Sequence, residues 1–181
     1  MSTRLKDVIE SLIFISLEPL TLEKIKGICT EFSEKEIQEA IQELTENYSS
    51  NQRGIQIIQA AGGYLFSTKS EHDQWVRRLL RLEQKNTLSH AALETLATVA
   101  YHQPITLAEI SALRGVDSTH SIKTLLQKKL VKITGRKKSP GRPLIYRTTD
   151  RFLTYFGLIS LNDLPSEEEI TKILDEEKIL D

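Results

Sequence analysis

"IESLIFISLEPLTLEKI" (Ile9–Ile25) has an echo later in the same chain, "LETLATVAYHQPITLAEI" (Leu93–Ile110). A one-residue insertion aligns them. Ile9-Glu10 then falls on Leu93-Glu94, Pro19 on Pro104, Thr21-Leu22 on Thr106-Leu107 and Ile25 on Ile110. The match continues with Ile37, Ala40 and Ile41 on Ile122, Leu125 and Leu126, and "YLFSTKSEHDQW" lies loosely on "LIYRTTDRFLTY". Similarity in a fixed order of elements marks a duplicated architecture, here two copies of roughly 75–85 residues.

Both copies parse alike. Leu5, Val8, Ile9, Leu12 and Ile13 recur at helical spacing, as do Ala92, Leu93, Leu96, Val99 and Ala100. Pro19 and Pro104 close these helices, because proline disfavours a helical residue before it. Second helices start at Thr21 and at Thr106, where Thr106–Glu109 reads as a capping box. Third helices start near Ser33, with a second capping box to Glu36, and near Ser118. Then the period changes. "GIQIIQAAGGYLFSTK" and "LVKITGRKKSPGRPLIYRTT" each hold two β-rich runs joined by a glycine-containing loop, so each predicts a two-stranded hairpin. Short helices follow near Ser70–Leu82 and Asp150–Phe156. The expected fold class is mainly α with small β-hairpins (α+β): two tandem winged-helix domains. Residues 1–84 form the N-terminal one and residues 88–164 the C-terminal one. A linker lies near Glu83–Thr87, and an acidic tail covers residues 165–181.

The net charge of -1 conceals an asymmetry. Residues 1–85 hold 11 Lys+Arg and 13 Asp+Glu; residues 86–161 hold 11 and 4; residues 162–181 hold 2 and 8. Such a split argues for separate domains. The single cysteine, Cys29, excludes a disulfide framework or a multi-cysteine metal site and suits a reducing compartment. The opening residues lack the features of a signal peptide, and no apolar run approaches the roughly 20 residues of a membrane helix. A cytoplasmic protein without membrane attachment is expected.

A helix-turn-helix protein that reads DNA lays its third helix among phosphates. The first copy's third helix, "SEKEIQEAIQELTENY", carries Glu34, Glu36, Glu39, Glu43 and Glu46 against Lys35 alone, which argues against that role. The second copy presents His120, Lys123, Lys128 and Lys129, with only Gln127 suited to bidentate base contacts. Its hairpin, "GRKKSPGRPLIYRTT", puts Arg136, Lys137 and Lys138 near the tip, candidates for weak contact with the DNA backbone. Neither a His-Glu-x-x-His motif nor a P-loop occurs, so neither an enzyme nor a cofactor is expected. The first helix is apolar beyond one stripe, since Phe14, Ile15 and Leu17 widen it. Leu5, Ile9, Leu12, Ile13 and Phe14 are therefore candidates for a dimer interface. The tail "LPSEEEITKILDEEKILD" holds a third capping box, Ser166–Glu169, and a thin stripe of Ile170, Ile173 and Leu174 that could dock on a partner or on the basic second domain.

"LSHAALETLATVAYHQPITLAEISALRGV" (Leu88–Val116) and "GRPLIYRTTDRFLTYFGLISLNDLP" (Gly141–Pro165) resemble the segregation and condensation protein B family. The first domain fits too, so the resemblance spans about Leu5 to Pro165. One departure is Arg147, where that family typically shows glycine. The resemblance implies tandem winged helices, no enzymatic activity, and a homodimer. It further implies binding to a kleisin subunit, segregation and condensation protein A, beside a structural-maintenance-of-chromosomes ATPase. The implied role is in chromosome condensation and partitioning during cell division, in the nucleoid. For the kleisin surface, Arg142, Tyr146, Arg147, Phe152, Phe156 and Leu158 combine arginines with aromatic anchors, as interface hot spots do. The competing reading is a stand-alone winged-helix DNA-binding regulator.

Overall fold

The computed structural model describes residues 2–50, 52–80, 88–166, 168–170 and 172. The expected linker and most of the acidic tail lie outside the described residues. The first unit runs α1 (Ser2–Ile15), β1 (Leu20–Thr21), α2 (Leu22–Ile28), α3 (Glu34–Ser49), β2 (Ile55–Ala60), β3 (Gly63–Thr68) and, after a short 3-10 turn, α4 (Asp73–Leu79). The second repeats this order: α5 (His90–His102), β4 (Ile105–Thr106), α6 (Leu107–Arg114), α7 (Thr119–Gln127), β5 (Val131–Arg136), β6 (Leu144–Thr148) and α8 (Asp150–Phe156). Each unit is a winged helix.

The helix starts follow from capping. The Thr21 hydroxyl accepts from the Lys24 N–H, and reciprocal capping boxes form at Ser33–Glu36 and Thr106–Glu109. Ser118 begins α7 without capping it. Instead it is fully buried, accepts from the Arg114 guanidinium at 3.1 Å and donates to the Val116 carbonyl at 3.3 Å.

The sheets correct the expected two-stranded hairpins. Each has three antiparallel strands, ordered β1-β3-β2 and β4-β6-β5. The added strands, Leu20-Thr21 and Ile105-Thr106, are two residues long and show no periodicity of their own. In the first sheet the pairing depends on Gly63, where a Cβ would lie 2.7 Å from the Pro19 carbonyl carbon. The first wing turns tightly through Ala61 (φ 49°) and Gly62 (φ 70°), two positive values in succession, as a type I′ hairpin requires. The second wing is longer, with an irregularity between Ile133 and Gly135.

Each unit has its own core. Leu5, Ile9 and Ile13 of α1 pack with Ile25, Ile37, Ile41, Leu44 and Ile57. Leu96, Val99, Ile110, Ile122, Leu125, Tyr146 and Phe152 centre the second. Cys29 is buried in the first core, and burial pushes its thiol pKa up, with Glu31 adding to the shift.

The second unit also encloses a polar tie. Arg114, on the last turn of α6, donates to the Thr95 hydroxyl at 2.8 Å and to Glu94 of α5 at 2.6 Å. With the Ser118 bond it links α5, α6 and the start of α7.

Candidate functional site

With two cores accounted for, the surfaces left uncovered are the candidates for function. On α1 the structure divides the expected dimer residues. Leu5, Ile9 and Ile13 are buried in the unit's own core, which corrects their assignment to an interface: they have no surface to offer. Leu12 is half-buried against the same core. Phe14 is 73% exposed, with its ring edge-on to Phe66 at 6.3 Å. Ile15 at 73% and Leu17 at 101% extend that apolar face past the end of the helix. Sequence reading left out a further surface, α4, which buries none of its residues and exposes Trp75 and Leu79, with Leu80 beyond its end. The signal was available: Trp75, Leu79 and Leu80 are large apolar residues in a helix too short to build a core.

The kleisin candidates separate too. Tyr146 pairs with Ile105 and Ile133 across the sheet and is buried, as is Phe152, so both are core residues; this corrects their assignment as partner anchors. Burial raises the Tyr146 pKa. Phe156 is exposed and packs on Phe152 and Tyr155, each at 5.1 Å. Tyr155, Ile159 and Leu161 continue the exposed apolar surface. Leu158 is half-buried, and its carbonyl accepts from the Ala61 N–H of the first wing at 2.9 Å. Arg142, at φ 42°, sits in the second wing's loop, about 17 Å of strand away from α8. Arg147 is exposed on β6, with Lys132 as its cross-strand neighbour. The six residues therefore do not converge on one patch.

The wing-tip cations are partly engaged. Arg136 donates to the Arg142 carbonyl at 3.0 Å, and Lys137 pairs with Glu109. Lys137, and after it the Thr106 bonds, hold the Glu109 carboxyl down to about 2. Lys138 is exposed. On α3 the acidic residues lie on an exposed face. Glu43 pairs with Lys6, Glu34 with Lys26 at 2.6 Å, and Glu36 is used in the Ser33 cap, which lowers its pKa.

The two units meet at a cleft of about 880 Å³. Leu17, Pro19 and Lys24 line it from the first unit; Lys129, Lys132, Arg151 and Tyr155 line it from the second. Among the described residues no group of His, Cys, Asp and Glu could hold a metal ion, and no helix is long and apolar enough to cross a membrane.

Comparison with known proteins places residues 7–167 on the family model described as segregation and condensation complex subunit ScpB. A segregation and condensation protein B of Clostridium acetobutylicum is 44% identical over 171 residues, covering 94% of this chain and 84% of that protein. The protein of that name from Clostridium tetani is 43% identical over 176 residues, covering 97% and 93%. Among solved structures, a dimer of the ScpB N-terminal domain complexed with an ScpA peptide is 35% identical, covers 41% of this chain and 88% of that one, and has a TM-score of 0.38.

Proposed function

Because this chain belongs to the family of segregation and condensation complex subunit ScpB, we propose that it is a non-enzymatic scaffold of a condensin-like complex. It dimerises through its first unit and binds the kleisin subunit, segregation and condensation protein A. Through the kleisin it serves a structural-maintenance-of-chromosomes ATPase in chromosome condensation and partitioning, in the cytoplasm at the nucleoid.

The observation that carries this reading is the pair of exposed apolar surfaces outside the two cores. One is Phe14, Ile15 and Leu17; the other is Tyr155 and Phe156, with Ile159 and Leu161. Exposed aromatic clusters of this kind mark protein interfaces. The first suits self-association and the second the kleisin. A DNA-reading role finds less support: α3 presents carboxylates, and two cations of the second wing are already engaged. DNA contact is at most weak and blind to sequence.

Co-purification with the organism's kleisin tests the reading. Wild-type chain retains the kleisin, and Phe156→Ala reduces retention by tenfold or more, a loss of about 1.4 kcal/mol or greater. Equal retention by a folded Phe156→Ala variant removes this surface from the account.

A further inference from the structure

We propose that the cleft between the two units is the docking surface for the chain's own acidic tail, residues 166–181. Four cations line the cleft: Lys24, Lys129, Lys132 and Arg151. None of their side chains forms an ion pair among the described residues. Arg147, outside the lining, stands directly opposite Lys132 across the β5–β6 ladder. Like charges opposed in this way repel one another. Glu18 and Asp150 also line the cleft, yet the cations remain in excess. Uncompensated charge in a cleft with low-dielectric walls concentrates anions there.

The walls indicate which anion. Leu17, Pro19, Leu65 and Tyr155 lie among the cations, so a complementary ligand carries apolar side chains beside its negative charges. A phosphodiester backbone lacks them. Residues 166–181 have both: seven Asp+Glu against two Lys, interspersed with Ile170, Ile173, Leu174, Ile179 and Leu180.

The tail starts on the unit that forms one wall of the cleft. The Tyr101 hydroxyl donates to the Pro165 carbonyl at 2.8 Å. Two residues beyond Tyr101, the Gln103 side-chain oxygen accepts from the Thr148 N–H at 2.9 Å and its hydroxyl at 3.0 Å. Thr149, Asp150 and Arg151 follow directly and form part of the cleft wall. Beyond this anchor Ser166 begins a capped turn, its N–H donating to Glu169 at 2.7 Å. From there residues 166–181 reach about 24 Å as a helix or about 50 Å extended, so length does not prevent docking. Docked, the tail screens the cleft's cations from other polyanions.

The test uses the full chain with a spin label at an introduced cysteine, Lys178→Cys; the native Cys29 is buried and does not compete for the label. The amide signals of Lys129, Lys132 and Arg151 are expected to lose most of their intensity at about 0.05 M salt and to recover at about 0.5 M, where the Debye length falls to roughly 4 Å. They should also recover when Lys132→Glu and Arg151→Glu are combined, or when Lys24→Glu alters the opposite wall, each in a chain whose signal dispersion shows it folded. Undiminished intensity at low salt overturns the proposal, as does quenching that survives both salt and charge reversal. A mixture of spin-labelled and isotope-labelled chains supplies a further check: docking within one chain leaves the mixture unquenched, whereas quenching in the mixture assigns the cleft to a second copy's tail and overturns docking within one chain. Finally, short duplex DNA should bind a variant with Asp175→Asn, Glu176→Gln and Glu177→Gln more tightly than it binds the wild type; equal affinity overturns the screening role.

Discussion

Replacing Phe14 by alanine separates the surface of α1 from its core. Phe14 is 73% exposed, whereas its neighbour Ile13 is 1% exposed. Burying a phenylalanine fully is worth about 1.5–3 kcal/mol, so covering the exposed fraction of Phe14 in a dimer contributes roughly 1–2 kcal/mol per chain. A two-fold interface uses the residue twice, which gives about 2–4 kcal/mol and a dimer Kd weaker by roughly 30- to 1000-fold. Sedimentation equilibrium over nanomolar to micromolar concentrations reads this directly. Thermal unfolding, extrapolated to the monomer, should barely change for Phe14→Ala. Ile13→Ala should instead lower monomer stability by about 2–5 kcal/mol, because it opens a cavity in the first core. If Phe14→Ala leaves the dimer Kd within twofold of wild type while the chain stays folded, the reasoning from exposure to interface is wrong.

Four further outcomes follow from the same structure. Gly63→Ala forces a Cβ to 2.7 Å from the Pro19 backbone and should destabilise the first unit by about 1–3 kcal/mol, read as a lower urea midpoint. Arg114→Ala removes donors from Thr95, Ser118 and Glu94 together, and should cost about 1.5–3 kcal/mol in the second unit's unfolding transition. The Glu109 carboxyl, held at about 2 rather than its ordinary 4.5, has a lowered folded-state pKa. Its contribution is therefore fully present above about pH 4.5 and is lost as pH falls through about 2; carboxyl carbon NMR should show that midpoint, and Lys137→Met should raise it. Tyr146→Phe should leave kleisin retention unchanged, because the ring is a core element paired with Ile105 and Ile133.

The duplicated architecture was legible in the sequence because capping residues and apolar spacing act locally. Thr21, Ser33 and Thr106 cap helices by bonds within three residues, and those bonds are visible as sequence spacing. The third strand of each sheet was not legible, since it exists only through pairing with β3 or β6, about 40 residues away. The candidate surfaces suffered from the same limit. A helical stripe identifies which residues share a face, but the partner across that face decides whether it is core or interface. Leu5, Ile9 and Ile13 meet α3 and are core; Phe14, Ile15 and Leu17 pass beyond that cover. Tyr146 and Phe152 were misassigned for an equivalent reason, because an aromatic beside an arginine reads alike in a hot spot and at the rim of a core.

The most direct measurement is the mass of the full chain mixed with its organism's kleisin subunit, taken by light scattering during size-exclusion chromatography. One species is expected, containing the kleisin together with two copies of this chain, unchanged by duplex DNA. Two separate peaks at micromolar concentration, or a monomer that binds one DNA sequence with a steep salt dependence, would contradict it.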